Sequence, residues 1–161
     1  MNMPFFNKAT GKFDEKKIEE VIVDRQDAMR GRLRTKTPEG NDLIINLPRG
    51  ETIEQGDIFG PSEKGLYYKI MIQPEPTIKV SLIKRNGQNS IENAVKLGYT
   101  LGNRHLEVLI EKDEVFVPVT VGEEKVRRII ELMNLPLKCE TVQKVIATSS
   151  DGYHPGEHAE E

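Results

Sequence analysis

Near the middle of this 161-residue chain, Gln73-Pro74-Glu75-Pro76 sets two prolines around a single residue. Proline has no backbone N–H to donate to a sheet, so this stretch cannot sit inside a central strand and reads as a junction between two units. The rhythm of the sequence changes across it. Before the junction, 18–24 (IEEVIVD), 30–37 (RGRLRTKT), 42–47 (DLIINL) and 66–72 (LYYKIMI) are strand-like, punctuated by Pro38-Glu39-Gly40-Asn41 and Pro48-Arg49-Gly50. Many short strands with such turns predict a small antiparallel sandwich or barrel.

After the junction, strands and helices interleave. Residues 77–83 alternate as a strand, and Ser90 can cap a helix in which Ile91, Ala94, Val95, Gly98 and Leu101 recur at helical spacing. Residues 106–111 and 114–119 form a hairpin about Lys112-Asp113. Gly122 precedes a second helix with Val126, Ile129, Ile130 and Met133 on one face, and 136–147 holds a last strand. The order β-α-β-β-α-β is the split motif of ferredoxin-like folds. The expected class is therefore α+β. A β-rich domain spans 1–75, a ferredoxin-like domain 76–147, and a flexible acidic tail without Lys or Arg 148–161.

Charge and cysteine content narrow the function classes. The 23 Lys and Arg nearly balance the 26 Asp and Glu, for a net charge of −3, unlike the basic surplus of a general nucleic-acid binder. The single cysteine, Cys139, excludes an intramolecular disulfide framework and a multi-cysteine zinc site. No apolar run reaches the roughly 20 residues needed to span a bilayer. The first residues (MNMPFFNKATGKFDEKK) lack an apolar core followed by a small-residue cleavage site. The cytoplasm is the expected compartment, with no membrane or nucleic-acid partner.

Chemistry concentrates on three histidines, His105, His154 and His158. His105 follows Gly102-Asn103, a helix-stop signal, and so falls at the end of the first helix of the second half. The other two lie four apart in the tail, with Pro155 and Gly156 between them opposing a helical metal clip. Neutral imidazole suits Ni²⁺, Zn²⁺ and Cu²⁺ near physiological pH. One fixed histidine and a tail carrying two more could hold such an ion loosely; the competing reading is a capping or core histidine beside incidental tail residues. One chain offers too few ligands for a closed four-coordinate site, and a two-fold dimer would double the fixed one.

Other features point to structure. Arg30, Arg32, Arg34 and Lys36 alternate along one strand. They form either an anion patch or the charged face of an edge strand kept from aggregating, and the second reading is preferred. Tyr67 and Tyr68 must face opposite ways, so at most one is core. Cys139 reads as a small buried hydrophobe. No phosphate-binding loop, dinucleotide fingerprint or nucleophile elbow occurs, and a protein that is not an enzyme is expected.

The run Tyr99-Thr100-Leu101-Gly102-Asn103-Arg104-His105 resembles the LGNRH signature of the UreE family of urease accessory proteins. Asn46-Leu47-Pro48-Arg49-Gly50 with Gly56-Asp57 is similar to that family's LPRG…GD segment, and Pro74-Glu75-Pro76 to its interdomain junction. The likeness runs in the family's order from about residue 18 to 154. It implies a nickel metallochaperone that delivers Ni²⁺ for maturation of the urease active site. In that family a β-rich N-terminal domain is likened to peptide-binding modules of co-chaperones, and a ferredoxin-like C-terminal domain mediates a homodimer. His105 matches the signature histidine, two copies of which bind one metal at the dimer interface. His154 and His158 are the implied tail ligands. The implied partners are the urease-activating GTPase and, through it, urease apoprotein. Two departures stand out: the tail has two histidines where many members have a histidine-rich run, and Thr100 replaces a frequent histidine. The first implies low capacity, near one ion per dimer; the second removes one candidate neighbour of the site.

Imidazole chemistry alone does not prefer Ni²⁺ over Zn²⁺, and Cu²⁺ binds such ligands more tightly than either. Because the ligand rings must be deprotonated, metal binding should weaken below about pH 6.5. The alternative function is a non-catalytic peptide-binding adaptor, gripping a partner segment by strand addition, with incidental metal binding.

Overall fold

A computed structural model of the chain describes residues 5–83, 90–112 and 114–148. These form a mixed α+β protein of two compact units. The first takes the chain up to Gln73 and regains it at 145–148; the second is Pro74–Lys144.

The first unit contains β1 (Ile18–Val23), a short helix α1 (Arg25–Met29), β2 (Arg32–Lys36), β3 (Asp42–Asn46), β4 (Ile58–Phe59) and β5 (Tyr67–Ile72). β2 and β3 form an antiparallel pair, while β5 lies between β1 and β4. The all-antiparallel expectation is corrected here, because β1 runs parallel to β5, from Ile18 opposite Tyr67 to Val23 opposite Ile72. α1 lies in a stretch, 25–29, too short to carry a helical apolar period. Its start is fixed by Asp24, whose carboxylate accepts the Asp27 N–H at 2.8 Å. Val21, Val23, Leu33, Leu43, Ile45, Phe59, Tyr68 and Ile70 make the core. Tyr68 is the buried tyrosine, with Phe6 edge-on to its ring at 5.3 Å, and Tyr67 is only half-buried.

Residues 145–148 complete this unit from the far end of the chain. Thr148 is 6% exposed, and its hydroxyl donates to the Ile53 carbonyl at 2.6 Å; Ile146 is 1% exposed. The strand expected over 136–147 accordingly ends at Lys144, where the chain leaves its sheet.

The second unit comprises β6 (Glu75–Leu82), α2 (Ser90–Asn103), β7 (Leu109–Glu111), β8 (Glu114–Pro118), α3 (Glu123–Glu131) and β9 (Leu137–Lys144). Its sheet has the order β7-β8-β6-β9 with every neighbour antiparallel. β6 is central despite containing Pro76. The proline is tolerated because it stands second in the strand, before the ladder is established on both sides. Alternation sends Ile78 and Val80 into a core with Leu97 and Leu101 of α2 and Val126 and Ile130 of α3. Ile129 and Met133 pack against that core as the period of α3 predicts. Lys79 emerges on the other sheet face, 2.6 Å from Glu114 and 3.6 Å from Glu140. The hydrogen bond to Glu114 leads the influences holding its ammonium above the ordinary lysine range.

Candidate metal centre

His105 is presented by the way α2 stops. The His105 N–H donates to the Gly102 carbonyl at 2.9 Å, and the Leu106 N–H reaches back to the Leu101 carbonyl at 3.2 Å. This pair of bonds, five-to-two and six-to-one, is the Schellman closure of a helix, and it requires a left-handed residue at the reversal. Glycine usually fills that place; here it is His105, with φ of +52°. The apolar contact that accompanies such a closure is also present. Leu101 (0% exposed) and Leu106 (4% exposed) belong to the same core cluster. His105 itself is exposed. The stop signal read at Gly102-Asn103 is thus displaced, because both residues stay helical and the chain turns two positions later.

Among the described residues, no three of His, Cys, Asp and Glu come together as a metal cage. His154 and His158 lie outside the described residues. The described part of one chain therefore offers a single exposed imidazole at a helix end, a donor that fits an open site shared with other ligands.

The face of α2 differs from the one predicted. Leu97 and Leu101 are its buried residues, whereas Ile91, Val95 and Tyr99 are 76%, 64% and 70% exposed. The three are spaced i, i+4, i+8 and so form one apolar stripe on the helix that ends at His105. Beside it, an apolar cleft of about 330 Å³ is lined by Leu82, Ala94, Leu97, Gly98, Leu101 and Ile110. Sequence periodicity finds an apolar face but does not say whether a sheet of the same chain covers it. The i, i+4, i+8 spacing ending in an aromatic was the available signal for a second face, and the Leu101–Leu106 spacing was the signal for the closure.

The remaining sequence candidates resolve as structure. Arg32, Arg34 and Lys36 are exposed along β2, but Arg30 caps α1 and pairs with Asp27 at 3.0 Å, so the basic row is one shorter than expected. Cys139 is half-buried against the second core, and that burial pushes its thiol up, away from nucleophilic character. At the start of α3, the Glu123 carboxylate accepts from the Thr141 hydroxyl at 2.5 Å and from Arg127 Nε at 2.8 Å. These bonds hold its carboxyl below the ordinary range. No helix among the described residues is long and apolar enough to cross a membrane.

Residues 6–66, most of the first unit, match the model of the UreE urease accessory protein N-terminal domain. Over 125 residues the chain is 29% identical to the urease accessory proteins UreE of Yersinia bercovieri and of Yersinia rohdei, covering 73% of this chain and 55% of each relative. It is 28% identical over 128 residues to the urease accessory protein UreE of Yersinia intermedia, covering 75% of this chain and 57% of that relative. The chain is thus similar to the UreE urease accessory proteins, both in the match to their N-terminal domain and along most of its length. The chain spans little more than half the length of the curated relatives it matches.

Proposed function

We propose that this protein is a member of the UreE family and a nickel metallochaperone of the cytoplasm. It holds Ni²⁺ between two copies of the chain and passes it on for maturation of the urease active site. The observation that carries the reading is His105. An exposed imidazole occupies a left-handed helix closure that glycine would fill more easily, on a helix that carries an exposed apolar stripe. Residues held in sparsely populated backbone regions cluster at functional sites, which supports this reading. The stripe of Ile91, Val95 and Tyr99 supports a two-fold pairing through α2, which would double the number of fixed imidazoles. The sheet order β7-β8-β6-β9, with one helix in each crossover, supports reading the second unit as ferredoxin-like. His154, and after it His158, are the tail ligands of the proposed site, and Zn²⁺ or Cu²⁺ would compete for it. The partners are the urease-activating GTPase and urease apoprotein. The protein's work is carriage, not catalysis: the ion is cargo, bound reversibly by neutral rings and released to the next protein.

The test is a Ni²⁺ titration by calorimetry on the wild type and on His105→Ala, with mass followed by light scattering. About half an ion per chain is expected under a two-fold shared site, lost in the variant while the dimer persists. Unchanged affinity in His105→Ala would sink the proposal. Tyr99→Glu, which places a charge in the stripe, should convert dimer to monomer at micromolar protein; a persistent dimer would move the interface off α2.

A further inference from the structure

Resting on the reading of His105 as a nickel ligand, we propose that Leu106 is the positioning residue of the site: by clamping the left-handed turn at the end of α2, it aims the imidazole that precedes it. A left-handed φ is unfavourable for any residue with a side chain, so the turn at His105 must be held by its surroundings. Two restraints are visible. One is the pair of backbone bonds closing the helix, from His105 N–H to Gly102 and from Leu106 N–H to Leu101. The other is the burial of Leu106, which sits in the second core with Leu101 while its neighbour His105 stays in solvent.

These restraints are one device. If the Leu106 side chain leaves the core, nothing fixes its N–H beneath the Leu101 carbonyl. The turn then relaxes towards the ordinary right-handed or extended regions, and the Cα–Cβ direction of His105 swings with it. Metal–nitrogen bonds form near 2.0–2.1 Å and tolerate little misplacement. A ligand displaced by a relaxed backbone therefore binds poorly although its imidazole is intact. Leu101, the other half of the contact, is fully buried and packs the helix itself, so its removal would disturb α2 as a whole. Leu106 follows the helix and is the handle on the turn alone.

The experiment compares Leu106→Ala, the milder Leu106→Val, Leu106→Met and His105→Ala with wild type. It reads Ni²⁺ affinity, the visible absorption of the bound ion, and hydrogen exchange at the His105 and Leu106 amides, well below the melting temperature. Leu106→Ala should bind Ni²⁺ roughly tenfold more weakly, a loss typical when a group that orients a ligand is removed. Its absorption band should shift and both amides should lose protection. Leu106→Val should fall between, and Leu106→Met, which refills the core, should restore affinity and spectrum together. Wild-type affinity and an unshifted band in Leu106→Ala would overturn the inference, as would failure of Leu106→Met to rescue. If the wild type binds no Ni²⁺, or His105→Ala binds it unchanged, the nickel reading falls. The clamp is then judged by exchange alone, and protected amides in Leu106→Ala would overturn that too.

Discussion

His105 is a residue whose local chemistry and position disagree. Asn134, just beyond α3, also adopts a left-handed φ, of +49°, and asparagine is among the side chains that accept it readily. Histidine accepts it less well than glycine, so stability and presentation of the ring pull in opposite directions at the end of α2. His105→Gly should therefore stabilise the second unit by about 1 kcal/mol, while His105→Ala, which keeps a Cβ in the same conformation, should give no gain. Urea unfolding followed by far-ultraviolet circular dichroism would measure both, since the chain has no tryptophan. Equal effects of the two substitutions would mean that the turn carries no strain. Sequence reasoning could locate this histidine at a helix end from Gly102-Asn103 alone. The reversal at residue 105 itself was hidden, because it depends on Leu106 finding the core, a long-range event that no stop signal encodes.

Among the elements, α3 behaved as its pattern predicts and α2 did not. In α3 the period, the acidic start and the packed face all agree, and its first turn is tied to β9 through Glu123, Arg127 and Thr141. The Glu123 carboxyl is held below its ordinary range, so the tie contributes fully above the unfolded carboxylate's pKa and fades as pH falls through the lowered one. A carbon-detected titration should find the Glu123 midpoint below the ordinary glutamate range, and Thr141→Val should raise it. An unmoved midpoint would remove the hydroxyl as a cause. In α2 the apolar residues spread over more than one face, and only Leu97 and Leu101 reach the core. Periodicity reports that a surface will be covered, but not by which chain. The parallel pairing of β1 with β5 was illegible for a related reason: 43 residues separate the end of β1 at Val23 from the start of β5 at Tyr67, and nothing local specifies such a partner.

At the scale of the whole molecule, the two units are not laid end to end along the sequence. The junction at Gln73-Pro74 was plain from its prolines, but the return at Val145 was not, since 145–148 looks like the fraying end of a strand. Those few residues carry weight. Thr148→Val removes the donor to a buried carbonyl and should cost the first unit about 1–3 kcal/mol. Ile146→Ala should cost about 2–4 kcal/mol. Both are measurable on the full chain by denaturant unfolding, and a silent Thr148→Val would make the contact dispensable. A fragment ending near residue 76 would likewise be a poor test of what the first unit binds, because it lacks the segment that closes it. The same arrangement dictates an order of events at the ribosome. Every residue from Pro74 to Lys144 must be translated before Thr148 exists, so the amino-terminal unit, although made first, is the last to be sealed. Until then it waits on the nascent chain with the Ile53 carbonyl lacking the Thr148 hydroxyl.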